Sequence, residues 1–223
     1  MEVKIDIKKE VENIPHLVEL SGDWILVSNI KEKYAKMSRD DLFLEVEKLH
    51  RVNEEKFSRI KNYYQKLWDK VGMQYIEEME KIMGCDLGEN KIVYIVPSLW
   101  VNIADVIGRK NAFIVAEEVQ QNPLDFIFLH ELTHLYYSDI LEVLKLREAG
   151  ASPLMEGVAH LILFKSSIKK LFSGIRYYDV SFVKKNPEFM KRLKSLFDNR
   201  KDFKGFLGEA IKLNKEIGGD VVL

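Results

Sequence analysis

The segment NPLDFIFLHELTHLYY, residues 122–137, carries two histidines and a glutamate inside a run that is apolar at nearly every other position beyond its first turn. Asn122 is a good N-cap, Pro123 suits the first helical position, and Asp125 lies in the first turn, where the helix dipole favours negative charge. Phe126, Ile127, Phe128, Leu129, Leu132, Leu135, Tyr136 and Tyr137 leave the helix without a polar side, which predicts that the rest of the chain packs around it. In such surroundings His130, Glu131 and His134 are costly unless they are paired or bind a metal.

Their spacing favours the metal. Residues four apart on a helix lie nearly above one another, so His130 and His134 can aim two imidazole nitrogens at one ion about 2 Å from each. Glu131 is turned about 100° from His130. That offset keeps its carboxylate off the ion and beside any water the ion holds. Zinc with three protein ligands and one open position lowers the pKa of such a water towards about 7, and a neighbouring carboxylate can take the proton. The spacing therefore predicts a Zn2+ site built for hydrolysis.

The third ligand has to come from another element. Asp139 is off the His130/His134 face, and Glu142 lies two turns beyond His134, about 12 Å away at 1.5 Å per residue. The metal helix is expected to run to about Arg147 and to be stopped by Gly150. A new helix then starts with Ser152 as N-cap and Pro153 as its first residue, which puts Glu156 near its first turn. Glu156 qualifies as a ligand, and Gly157, having no side chain, would let this helix come close to the metal helix. His160 lies one turn further on the same face. It is an alternative ligand, a donor behind a ligand, or a packed histidine.

His130-Glu131-Leu132-Thr133-His134 followed by Glu156-Gly157-Val158-Ala159 resembles the gluzincin metallopeptidases. The resemblance implies His130, His134 and Glu156 as zinc ligands, Glu131 as general base, and a peptide or protein as substrate. The HELTH string also occurs in thermolysin-like enzymes, and Asn111-Ala112-Phe113 looks like their substrate-binding edge strand. The E-G-x-A form is closer to uncharacterised predicted zinc-dependent proteases. No G-x-M-E-N motif precedes the helix, which leaves the aminopeptidase branch unsupported, and His160 stands where thermolysin-like enzymes have an aspartate behind a ligand. A different class of function also fits the motif: a zincin without activity, used as a binding or regulatory module.

Strands are expected before the metal helix: Val3, Ile5 and Ile7 in alternation with charges, Trp24 to Val27, Ile92 to Val96, Val101 to Ile107, and Ala112 to Ala116. The last of these, at a sheet edge, could pair with an extended peptide. Ser38 with Asp41 marks a helix start. Apolar residues then recur at helical spacing from Leu42 to Ile82, too long for one ordinary helix, with a break expected near Val52-Asn53 or at Gly72 and a stop at Gly84. His16 and His50 are expected in solvent. Helices are expected over Val158 to Phe172, Pro187 to Phe197 and Phe203 to Ile217. Between them, Arg176-Tyr177-Tyr178 offers Tyr177 as a donor to the oxyanion that develops during hydrolysis.

These elements predict an α+β, zincin-like fold in a single domain: a sheet and helix lobe over 1–121, the metal helix over 122–149 and a helical lobe over 150–223. The 34 basic and 35 acidic residues nearly cancel, so charge makes no case for nucleic acid. One cysteine, Cys85, excludes an intrachain disulfide, and no run is apolar enough to span a membrane, so a cytoplasmic enzyme is expected.

Overall fold

The structure, a computed structural model, describes residues 1–12, 36–87, 91–96, 111–115, 124–146, 152–171 and 181–217. Residues 1–70 and 89–131 form one compact unit, and residues 71–88 and 132–223 form a second. The described residues are mostly helical, with one small parallel sheet, so the fold is α+β.

In the first unit, β1 (Glu2–Lys4), β2 (Ile92–Val96) and β3 (Asn111–Val115) form a sheet in the order β1-β2-β3. Val3 is in register with Val93, and Tyr94 with Phe113, both pairs parallel. Parallel neighbours need a long connection, and between β1 and β2 it contains α1 (Arg39–Val52) and α2 (Glu54–Met83). Among the described residues β3 pairs on one side only, which makes it an edge strand there. The regions Trp24 to Val27 and Val101 to Ile107, with His16, lie outside the described residues.

The first strand is shorter than its alternation suggests. It ends at Lys4, and residues 7–12 are helical, so Ile7 belongs to a helix. Asp6 decides this: its carboxylate accepts the Lys9 amide at 3.1 Å and its carbonyl accepts the Glu10 amide, an N-cap that overrides the period-two pattern. The same helix corrects the expectation for His50. That histidine is buried, its Nε2 2.6 Å from Oε2 of the equally buried Glu10, and its ring meets Phe57 edge-on at 5.0 Å. A carboxylate forty residues away in sequence satisfies it, and no local signal announces that partner.

Ser38 caps α1 by accepting the Asp41 amide. Asn53 separates α1 from α2, with its side-chain amide donating to the Leu49 carbonyl at 2.8 Å, while Gly72 lies inside α2. Along α2 the residues Phe57, Ile60, Tyr64, Trp68, Val71, Tyr75, Met79 and Ile82 are all buried, a continuous stripe at the helical period. Gly84, at φ 73°, ends it in the left-handed conformation that glycine adopts without penalty.

Helix α3 (Leu124–Val143), which carries His130 and His134, is buried at every residue from Phe126 to Leu129 and from Glu131 to Tyr137. It stops short of Arg147. Leu146 N–H donates to the Leu141 carbonyl at 2.8 Å and Lys145 N–H to the Glu142 carbonyl at 3.0 Å, with Lys145 at φ 58°. This is a Schellman ending in which a lysine holds the position usually given to glycine, so the sequence carries no warning of it. Lys145 is exposed, and left-handed backbone costs an L-residue about 1–2 kcal/mol. Lys145→Gly is therefore expected to raise stability by about 1 kcal/mol, or about 2–4 °C in thermal midpoint for a chain of this size. Calorimetry of the two proteins measures it.

In the second unit α4 (Ser152–Lys165) is followed by a 3-10 turn (Ser167–Leu171), so the helix expected up to Phe172 is interrupted. Ser166 causes the interruption by turning its hydroxyl back onto the Ile162 carbonyl. A short helix α5 (Ser181–Lys185), unmarked in the sequence, precedes α6 (Pro187–Asp198) and α7 (Phe203–Ile217). The buried faces of α6 and α7 meet through pairs such as Phe197 on Phe206, edge-on at 5.3 Å. Among the described residues, no helix is long and apolar enough to cross a membrane.

Candidate metal centre

His130 and His134 lie one turn apart on α3, and Glu156 is on the second turn of α4. One ligand atom from each of the three lies within 4.8 Å of the others. His134 Nε2 is 3.3 Å from Glu156 Oε1. Two donors held at about 2.0–2.1 Å by one tetrahedral ion stand about 3.3–3.4 Å apart, so this pair already has the spacing such an ion requires. Two imidazoles and a carboxylate are also a donor set suited to a divalent transition metal, and the group can hold one.

Burial differs across the group: His134 is buried, whereas His130 and Glu156 are half-buried. Glu131 is buried at 5% exposure and is not one of the three ligand residues. Asp139 and Glu142 are likewise outside the group. His160 is buried in α4 with its ring 4.9 Å from that of Phe164, and it is not one of the three residues of the group. Tyr177 lies outside the described residues.

The surroundings of α3 hold it in place. The Tyr75 hydroxyl and the Thr133 hydroxyl share a hydrogen bond of 2.8 Å, both residues fully buried, so α2 grips the motif at its fourth residue. Burial pushes the Tyr75 phenol up, so it stays neutral in this bond at physiological pH. Tyr137 is treated the same way by its own burial. Sequence reasoning placed Tyr75 on a core stripe and had no means of pairing it with Thr133, 58 positions away.

The atoms nearest to Gly157 belong to α6. A Cβ at Gly157 would stand 2.6 Å from Leu193 Cδ2, 3.2 Å from Phe189 Cε1 and 3.3 Å from Met190 Sδ, all on α6. The missing side chain makes room for α6, on a face of α4 turned about 100° from Glu156. Gly157→Ala is expected to cost about 1–3 kcal/mol, because these three side chains are themselves buried and cannot all retreat. Urea unfolding of the metal-free protein reads this directly; an unchanged midpoint would mean that α6 has slack the packing does not show.

Comparison with protein families, with characterised proteins and with solved structures finds no match to this chain.

Proposed function

We propose that the chain is a zinc-dependent peptidase of gluzincin type with a zincin-like fold, acting in the cytoplasm on peptides or unfolded proteins. The observation that carries this reading is the meeting of His130, His134 and Glu156 within 4.8 Å, with a further carboxylate, Glu131, next to His130 in the chain and outside the ligand set. Two histidines and a carboxylate also suit non-haem iron. Glu131 favours zinc and hydrolysis, since a carboxylate next to an open metal position serves proton transfer from water.

Zinc, when bound, supplies a Lewis acid at an open position, acidifying a water and polarising the amide carbonyl. His130 and His134 would hold it through imidazole nitrogens from one helix, and Glu156 would neutralise part of its charge. Glu131 accepts the proton of the attacking water and returns it to the departing amine nitrogen, so one carboxylate serves both halves of the hydrolysis. An extended substrate is proposed to pair its backbone with the side of β3 that meets no other strand among the described residues, which would bind it without reading its sequence.

The test is elemental analysis joined to an assay. Protein reconstituted with zinc should hold one ion per chain, and His134→Ala should hold none while its helical content stays. Hydrolysis of a denatured protein should stop on chelation and return with zinc. A chain that takes up no transition metal after reconstitution would remove the reading altogether.

A further inference from the structure

We propose that the hydrogen bond between Tyr75 and Thr133 sets the rotation of α3 about its own axis and so aims His134 at the metal, which makes Tyr75 and Thr133 positioning residues of the centre. The proposal rests on the metal-binding part of the reading above and holds whether or not the bound ion hydrolyses peptides. Outside its motif α3 is apolar on every side from Phe126 to Tyr137. Such a helix buries much the same area at any rotation, so burial alone does not choose which side turns towards which neighbour. A ligand is less tolerant. An imidazole nitrogen stands about 5–6 Å from the helix axis, so a turn of about 10° carries it about 1 Å, twice the roughly 0.5 Å within which a site residue has to be held.

Thr133 is the residue before His134, so whatever fixes its direction from the axis fixes that of His134 as well. Its hydroxyl lies 2.8 Å from that of Tyr75, 58 positions away in the chain, and both residues are fully buried. Tyr75 meets α3 a second time: its ring is 6.1 Å from that of Tyr136, tilted by 50°. Tyr136 lies three residues beyond Thr133 and therefore on the same flank. Thr133 itself points about 100° away from His134, so Tyr75 holds the helix without competing for the ion. Two buried hydroxyls are a costly way to fill a core, because phenylalanine and valine of nearly the same shape would leave no polar group to satisfy. What the pair adds is direction. A hydrogen bond weakens steeply as its angle departs from the optimum, and a satisfied buried pair specifies one arrangement of its helices.

Tyr75→Phe, Thr133→Val and the double variant Tyr75→Phe/Thr133→Val are to be made in the full chain. Thermal midpoints are measured after chelation, and zinc affinity by competition with a chromophoric chelator at a temperature where circular dichroism shows each protein folded. Each single variant deprives one buried hydroxyl of this partner and is expected to lower the midpoint. The double variant should return to within about 2 °C of the parent, yet bind zinc about tenfold more weakly, at the lower end of what a group behind a ligand contributes. With cobalt in place of zinc, its visible bands should differ from the parent's in position or intensity, because they report ligand geometry. A double variant that recovers its midpoint and its zinc affinity together overturns the proposal and makes the hydrogen bond a packing feature only. So does a loss of affinity in the double variant equal to the product of the two single losses, since one shared bond cannot be lost twice. The parent's zinc content separates the two readings. A parent that takes up no zinc sinks the metal centre and this proposal with it, whereas a zinc-binding parent whose affinity survives in the double variant sinks this proposal alone.

Discussion

Replacing Glu131 with glutamine is expected to leave zinc in place and to lower peptide hydrolysis by about 10²- to 10⁴-fold, the range in which general acid–base groups contribute. Glutamine has nearly the same shape, and Glu131 is not one of the three ligand residues, so metal content should hold. What changes is the proton. A carboxylate accepts one from water, whereas an amide at neutral pH does not. The size of the effect also separates an enzyme from a binding module built on the same ligands. If the zinc-loaded parent cleaves no peptide that the Glu131→Gln protein spares, the three residues hold a metal for some other purpose.

The second large effect concerns the third ligand. Glu156→Ala is expected to weaken zinc binding by more than about 100-fold, beyond the 10- to 100-fold that losing a group behind a ligand produces. Glu156 Oε1 lies 3.3 Å from His134 Nε2, and its removal leaves, among the described residues of the group, two imidazoles on one helix. His160→Ala should stay within that lower range or show no change, because His160 is outside the group and its ring lies tilted against that of Phe164. Competition with a chromophoric chelator ranks the two proteins against the parent. A His160→Ala protein that loses its metal while Glu156→Ala retains it would replace the carboxylate by a third histidine.

Helical periodicity and capping chemistry were legible wherever they are local. Ser38, Asn53 and Gly84 punctuate α1 and α2 as their side chains and backbone preferences dictate, and the apolar run of α3 is buried as its lack of a polar side requires. The spacing of His130 and His134 on one helix follows from its pitch, and the structure brings Glu156 to them. The misreadings arise from contacts between distant segments or from residues in atypical roles. Asp6 turned an alternating strand into a helix, and that helix supplied the Glu10 that buries His50. Lys145 ended α3 in a conformation that sequence assigns to glycine. Gly157 signalled a close approach correctly, but the element approaching is α6, whose Leu193 lies 36 positions further along (193 − 157). A glycine records that something comes near and says nothing of what.

Placing Gly157 against α6, one residue from Glu156, ties metal occupancy to the breathing of the C-terminal helices. The two histidines need only α3 to be in place, so a chain in which α6 has locally opened still offers them. The carboxylate depends on α4 being seated, and Leu193, Phe189 and Met190 seat it. An ion that binds the closed arrangement more tightly than the open one stabilises it, by about 2.7 kcal/mol at a free concentration 100 times the dissociation constant. Amide exchange in α4 and α6 should slow as zinc is added, although neither histidine belongs to those helices. With zinc bound as proposed, its release is expected to follow local unfolding, at a rate set by hydrophobic packing on the neighbouring face of α4.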